Sequence, residues 1–133
     1  MREIKFRAWD KVTKEMCQVT RLMWNEGRGR YTEPMRKLTH ISCNGVQMYH
    51  LADGYELMQN TGLVDKNGKE IYEGDIVKHL KYGGAWEVVY SLENTGYDLK
   101  NGEHSMHLSS LCCPYLEAIG NQYENSELLK GEG

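Results

Sequence analysis

Turn-forming dipeptides divide this chain more strongly than any other feature. Asp53-Gly54, Asn67-Gly68, Gly83-Gly84 and Asn101-Gly102 each supply residues that tolerate positive φ, the conformation two-residue hairpin turns demand. The runs between them are short and alternate apolar with polar, the period of a half-buried strand. No long window shows the 3.6-residue apolar repeat of an amphipathic helix. These two observations exclude a helical bundle and point to antiparallel β structure.

The details follow the same pattern. Ile4, Phe6 and Ala8 alternate with Lys5, Arg7 and Trp9, and Met16 to Leu22 resumes as a second strand after a polar turn at Asp10 to Lys14. That is an N-terminal hairpin with Trp9 on its outward face, as cover for a neighbouring lobe or a partner. Gly45 to Leu51 alternates again, and Ile76 to Tyr82 with Ala85 to Ser91 form a hairpin around Gly83-Gly84. Tyr115 to Ile119 reads as the last strand. Thr32 caps at most one helical turn with Pro34, and Asn125 reads as the cap of a short C-terminal helix holding Glu127 to Lys130. The expectation is a mainly β protein. Antiparallel hairpins form one or two small barrel- or sandwich-like lobes, about 1–56 and 57–130, with a flexible tail at 131–133.

At 133 residues, a real core can form without metal or disulfides. No apolar run approaches the roughly 20 residues of a membrane helix, and the start MREIKFR lacks a signal-peptide apolar region. The expected setting is therefore the cytosol, reducing, with Cys17, Cys43, Cys112 and Cys113 as unpaired buried thiols. The formal charge of −3 conceals a split: residues 1–40 hold ten bases against five acids, and the remainder six against fourteen. Such a split suits an acidic partner, but mutual attraction of the two parts, within the chain or across a subunit interface, is the preferred reading because it requires only the chain itself.

Three segments, MREIKFRAWDKVTKEM, LMQNTGLVDKNGKEIYEGDIVK and YLEAIGNQYENSELLK, together resemble the YopX family of phage and prophage proteins. The middle one is the most specific. The resemblance implies a phage or prophage context and a mainly β fold, and it carries no biochemical activity with it. Gly62, Gly68 and Gly74 read as turn positions, and Asp75 as a residue that ties its own turn by a local hydrogen bond.

Chemistry-bearing patterns are sparse. Phosphate-loop, nucleophile-elbow and His-Glu-x-x-His signatures are missing. Asp75 and His79, four residues apart on a strand, lie roughly 13 Å apart, too far to share a proton. His104, His107, Cys112 and Cys113 cluster in sequence, but adjacent thiols do not suit a zinc site, so no metal and no cofactor are expected. Trp24, Arg28, Arg30, Tyr31, Arg36 and Lys37 gather cations and aromatics in and after a Gly-containing loop, the combination that pairs phosphates and stacks unpaired bases. Glu26 and Glu33 interrupt it.

The function expected from these residues is non-enzymatic. The first reading is a protein-binding or self-assembling accessory module, with the partner in host or phage and no membrane. Its contact surfaces are loop 24–37 and the β-edge around 76–91. The alternative is a small nucleic-acid-binding β-barrel protein. Whether 17–56 orders without a partner is left open by the sequence.

Overall fold

The structure, a computed structural model, describes residues 4–24, 38–45, 48–50 and 54–129. Eleven strands are present among them: β1 Phe6–Asp10, β2 Glu15–Trp24, β3 Leu38–Cys43, β4 Met48–His50, β5 Tyr55–Val64, β6 Glu70–Tyr72, β7 Asp75–His79, β8 Ala85–Ser91, β9 Gly96–Asn101, β10 His104–His107 and β11 Leu116–Asn121. The protein is mainly β, as the turn pattern requires, and it divides into two compact units. One comprises Lys5–Leu57, the other Met58–Gly133 with Met1–Ile4.

In the first unit the strands lie in the order β4-β3-β2-β1, with the start of β5 beside β1. The β1–β2 hairpin pairs Ala8 with Cys17 and Asp10 with Glu15. Its turn is made by Asp10, whose Oδ1 accepts the Val12 and Thr13 N–H groups. Ala8, Ile41 and Cys43 form the core, with Val19, Leu22 and Leu57 packed on it. Ala8 and Trp9 are both buried. Successive strand residues point to opposite faces, so β1 is covered on both sides, and Trp9 serves packing.

The second unit is built on the sheet β10-β9-β8-β7-β11, antiparallel throughout. Here β7, β8, β9 and β10 follow one another as a meander, and β11 returns to the far side of β7. Ile71, Val77, Trp86, Val88, Leu99, Leu108 and Leu116 fill its core. Asp65 closes this unit. Its carboxylate accepts the N–H groups of Asn67 and Lys69 in the β5–β6 turn and that of Ala118 on β11, each at 2.9 Å. Burial alone would raise the Asp65 pKa, but these three donors and the nearby Lys69 charge outweigh it and hold the carboxyl below its ordinary value. Asp75 does the local work expected of it, its Oδ2 accepting the Tyr72 N–H at 2.8 Å.

Two expectations are corrected. The C-terminal helix is a 3-10 turn, Ser126–Leu129. Asn125 does not cap it with its side chain: Asn125 Oδ1 instead accepts the Asn121 N–H, folding back over Gly120. The second correction concerns thiols. Cys17 and Cys43 are paired as a disulfide, because β2 and β3 bring their Cα atoms to 5.6 Å, inside the span of such a bond. Cys112 and Cys113 are free.

Candidate protein-binding surface

At the end of β7 the chain turns back into β8 through Leu80–Gly84. Gly83 and Gly84 both have positive φ, +78° and +79°, which is what a tight hairpin of this hand needs. A side chain at Gly84 would also meet Asn101 Nδ2 at 2.8 Å. His79 is almost wholly buried beneath the turn, and its Nδ1 accepts the N–H groups of Lys81 at 3.2 Å and Tyr82 at 3.1 Å. With Nδ1 as acceptor, the ring proton resides on Nε2. The Gly83 N–H donates to the His79 carbonyl, and Trp86 Nε1 donates to the Gly83 carbonyl, at 2.7 and 2.8 Å. Burial, with the Lys81 charge beside it, pushes the His79 pKa below its ordinary value, so the imidazole is neutral.

This scaffold holds the outward side chains in place. Tyr82 is 66% exposed and Tyr115, from the 3-10 turn Cys113–Tyr115, is 44% exposed. Both rings lie near His79, Tyr82 tilted at 4.6 Å between centroids and Tyr115 parallel at 6.2 Å. Lys81 Nζ sits 5.6 Å from the Tyr82 centroid and 5.7 Å from that of Tyr115, a cation shared by two ring faces. Leu80 is exposed beside them. Residues 76–86 contain two lysines and no carboxylate.

Other candidates from the sequence fall elsewhere. Trp24 ends β2, opposite Leu38, with 55% of its surface exposed. Arg28, Arg30, Tyr31, Arg36 and Lys37 lie outside the described residues. His104 and His107 belong to β10, whereas Cys112 and Cys113 both donate their S–H to the Ser109 carbonyl. Burial raises the Cys113 pKa, which keeps that thiol protonated. Asp75 and His79 have separate duties, one tying the turn before β7 and the other the turn after it. Sequence reasoning placed a contact surface on 76–91 but did not single out Lys81, Tyr82 or Tyr115. The available signal was a tyrosine inside a Gly-Gly turn, where an exposed ring adds nothing to the hairpin.

Fold and surface together define a class: small all-β proteins built from antiparallel meanders, with an ordered aromatic hairpin tip held out to solvent. Within that class, the family model described as YopX protein matches residues 5–130, and the chain belongs to the YopX family. The crystal structure of protein EF1440 from Enterococcus faecalis is similar, with a TM-score of 0.66 and 27% identity over 97% of this chain and 99% of that one. No curated protein matches.

Proposed function

We propose that this YopX-family protein is a non-enzymatic accessory module of phage or prophage origin. It acts in the host cytoplasm, where thiol reductants hold Cys17 and Cys43 reduced, by binding protein, either a partner or further copies of itself. The observation that carries this reading is the Leu80–Tyr82 tip with Tyr115. Exposed aromatic and apolar area held by hydrogen bonds is already ordered before binding, so little entropy is lost when it docks. The polar group beneath it, His79, is engaged in holding the backbone of the turn, which favours binding over catalysis. Size-exclusion chromatography with light scattering, and capture on immobilised protein, test the reading. A stoichiometric complex that disappears with Tyr82→Ala/Tyr115→Ala supports it, and a complex indifferent to both substitutions sinks it.

A second reading keeps nucleic acid as the partner, through Trp24, Arg28, Arg30, Tyr31, Arg36 and Lys37. The exposure of Trp24 at the end of β2 favours it. Anisotropy of labelled single- and double-stranded oligonucleotides at low and near-physiological salt is the test. Binding that weakens steeply with salt and with Arg28→Ala/Arg30→Ala supports it. An absence of binding at low salt removes it.

A further inference from the structure

The second unit carries, besides its hairpin tip, a concavity of opposite charge. Along β8, β9 and β10 the side chains alternate: Trp86, Val88, Leu99 and Met106 turn to the core. Register then places Val89 opposite Asp98, Glu87 opposite Lys100, and Ser105 opposite Lys100 on the outer face. This face and the turns at its ends form a groove of about 660 Å³, lined by Glu93, Asp98 and Glu103 with Lys100 as the single Lys or Arg in the lining. A volume of that order suits a drug-sized occupant and leaves room for a lysine and a tyrosine side chain together. Asp98 is held firmly. It is 8% exposed, its two oxygens lie 3.3 and 3.1 Å from Asn94 Nδ2, and His107 Nδ1 is 3.6 Å from Oδ1. Tyr90 and Leu92, both well exposed, add apolar area to the lining.

The tip offers the complement. It projects Lys81 between two tyrosine rings with Leu80 beside it, from a stretch free of carboxylates. Both surfaces are present on every molecule in equal number, which makes a second copy the occupant that charge and stoichiometry favour. We propose that the Leu80–Tyr82 tip of one copy docks into the Glu93/Asp98/Glu103 groove of a second copy. This rests on the protein-binding reading and gives it the form of self-assembly. The contact is heterologous: tip meets groove, two different patches, so assembly either closes into a ring or extends head to tail. Lys81 brings its charge to the acidic lining, and the Tyr82 ring meets the apolar rim.

Sedimentation velocity on purified full-length protein tests this with three samples. Wild type is expected to gain mass with concentration, to a dimer or beyond, and to lose association as salt rises. Lys81→Ala/Tyr82→Ala removes the tip and leaves the groove. Glu93→Arg/Glu103→Arg reverses the groove and leaves the tip. Each variant alone is expected to stay monomeric over the range where wild type assembles, with association weakened about tenfold or more. Mixed in equal amounts, they are expected to form a heterodimer and nothing larger, since one intact tip and one intact groove remain. That recovery also shows both variants to be folded. Wild type that remains monomeric overturns the proposal, as does assembly unaffected by either variant, or a mixture that stays monomeric. If wild type is monomeric yet a captured protein is still lost on Tyr82→Ala/Tyr115→Ala, self-assembly falls and the binding reading stands.

Discussion

His79 joins the interior of the second unit to the exposed Tyr82 and Tyr115 rings. Its Nδ1 accepts two backbone N–H groups of the turn, so the identity needed there is a neutral acceptor at that position. His79→Asn keeps an acceptor oxygen and is expected to preserve most of the stability. His79→Leu leaves both donors without it and is expected to cost about 2–3 kcal/mol in urea denaturation, with the tip amides losing protection from hydrogen exchange. Asp65 is a stronger case, because one carboxylate satisfies donors from a turn and from a strand 53 positions away. Asp65→Ala is expected to cost about 3–5 kcal/mol, since bonds to an ionised acceptor exceed neutral ones. Asp65→Asn is expected to cost less, having one acceptor oxygen left.

At the scale of elements, the hairpins were legible because their turns are written in residues that tolerate positive φ. The β7–β8 and β9–β10 turns fall where Gly83-Gly84 and Asn101-Gly102 put them. Gly74 shows the same economy more sharply: its φ is +87°, and an added Cβ would lie 2.9 Å from Gln122 Nε2 and 3.1 Å from Met58 Sδ. Gly74→Ala is expected to lower stability by about 2 kcal/mol, through backbone strain and crowding together, read as a fall in melting temperature. What local pattern could not reveal was register across the sheet. Cys17 meets Cys43 only because β2 and β3 pair as they do, and Tyr115 meets His79 only because β11 returns beside β7. The cysteine expectation rested on compartment chemistry, which says nothing of distance. Without reductant, protein with the Cys17–Cys43 bond intact is expected to exceed Cys17→Ser in stability by about 3 kcal/mol, as loop-closure entropy estimates for a 26-residue separation. Added dithiothreitol should remove that difference.

For the whole molecule, pH is the readiest probe. The folded-state pKa of His79 lies below its ordinary 6.5, so between those two values the unfolded chain binds more protons. The stability this group confers is complete above 6.5 and falls as pH drops through that window. Asp65, held below its ordinary 3.8, adds a second loss at lower pH as it is forced to protonate in the fold. Glu87 runs the other way: burial raises its pKa despite the nearby Lys100, so acidification towards that value relieves a cost present at neutral pH. Urea midpoints measured from pH 7.5 down to 3 are expected to decline in two steps, and His79→Asn should flatten the first. The candidate surface was only half legible at this scale. A local stretch, 76–91, could be read from its turn and strands, but the shared lysine needs Tyr82 and Tyr115 from separate parts of the chain.

The return of β11 to the far side of β7 also orders events in time. While the chain emerges from the ribosome, the β7-to-β10 meander can pair with itself, but Asp65 still lacks its Ala118 donor and β7 still has an open edge. Completion of the second unit waits on Leu116–Asn121, however early the first hairpins form. A nascent chain stalled before that strand therefore presents an unpaired edge beside buried Ile76 and Val77, a natural docking point for a chaperone or for another unfinished chain.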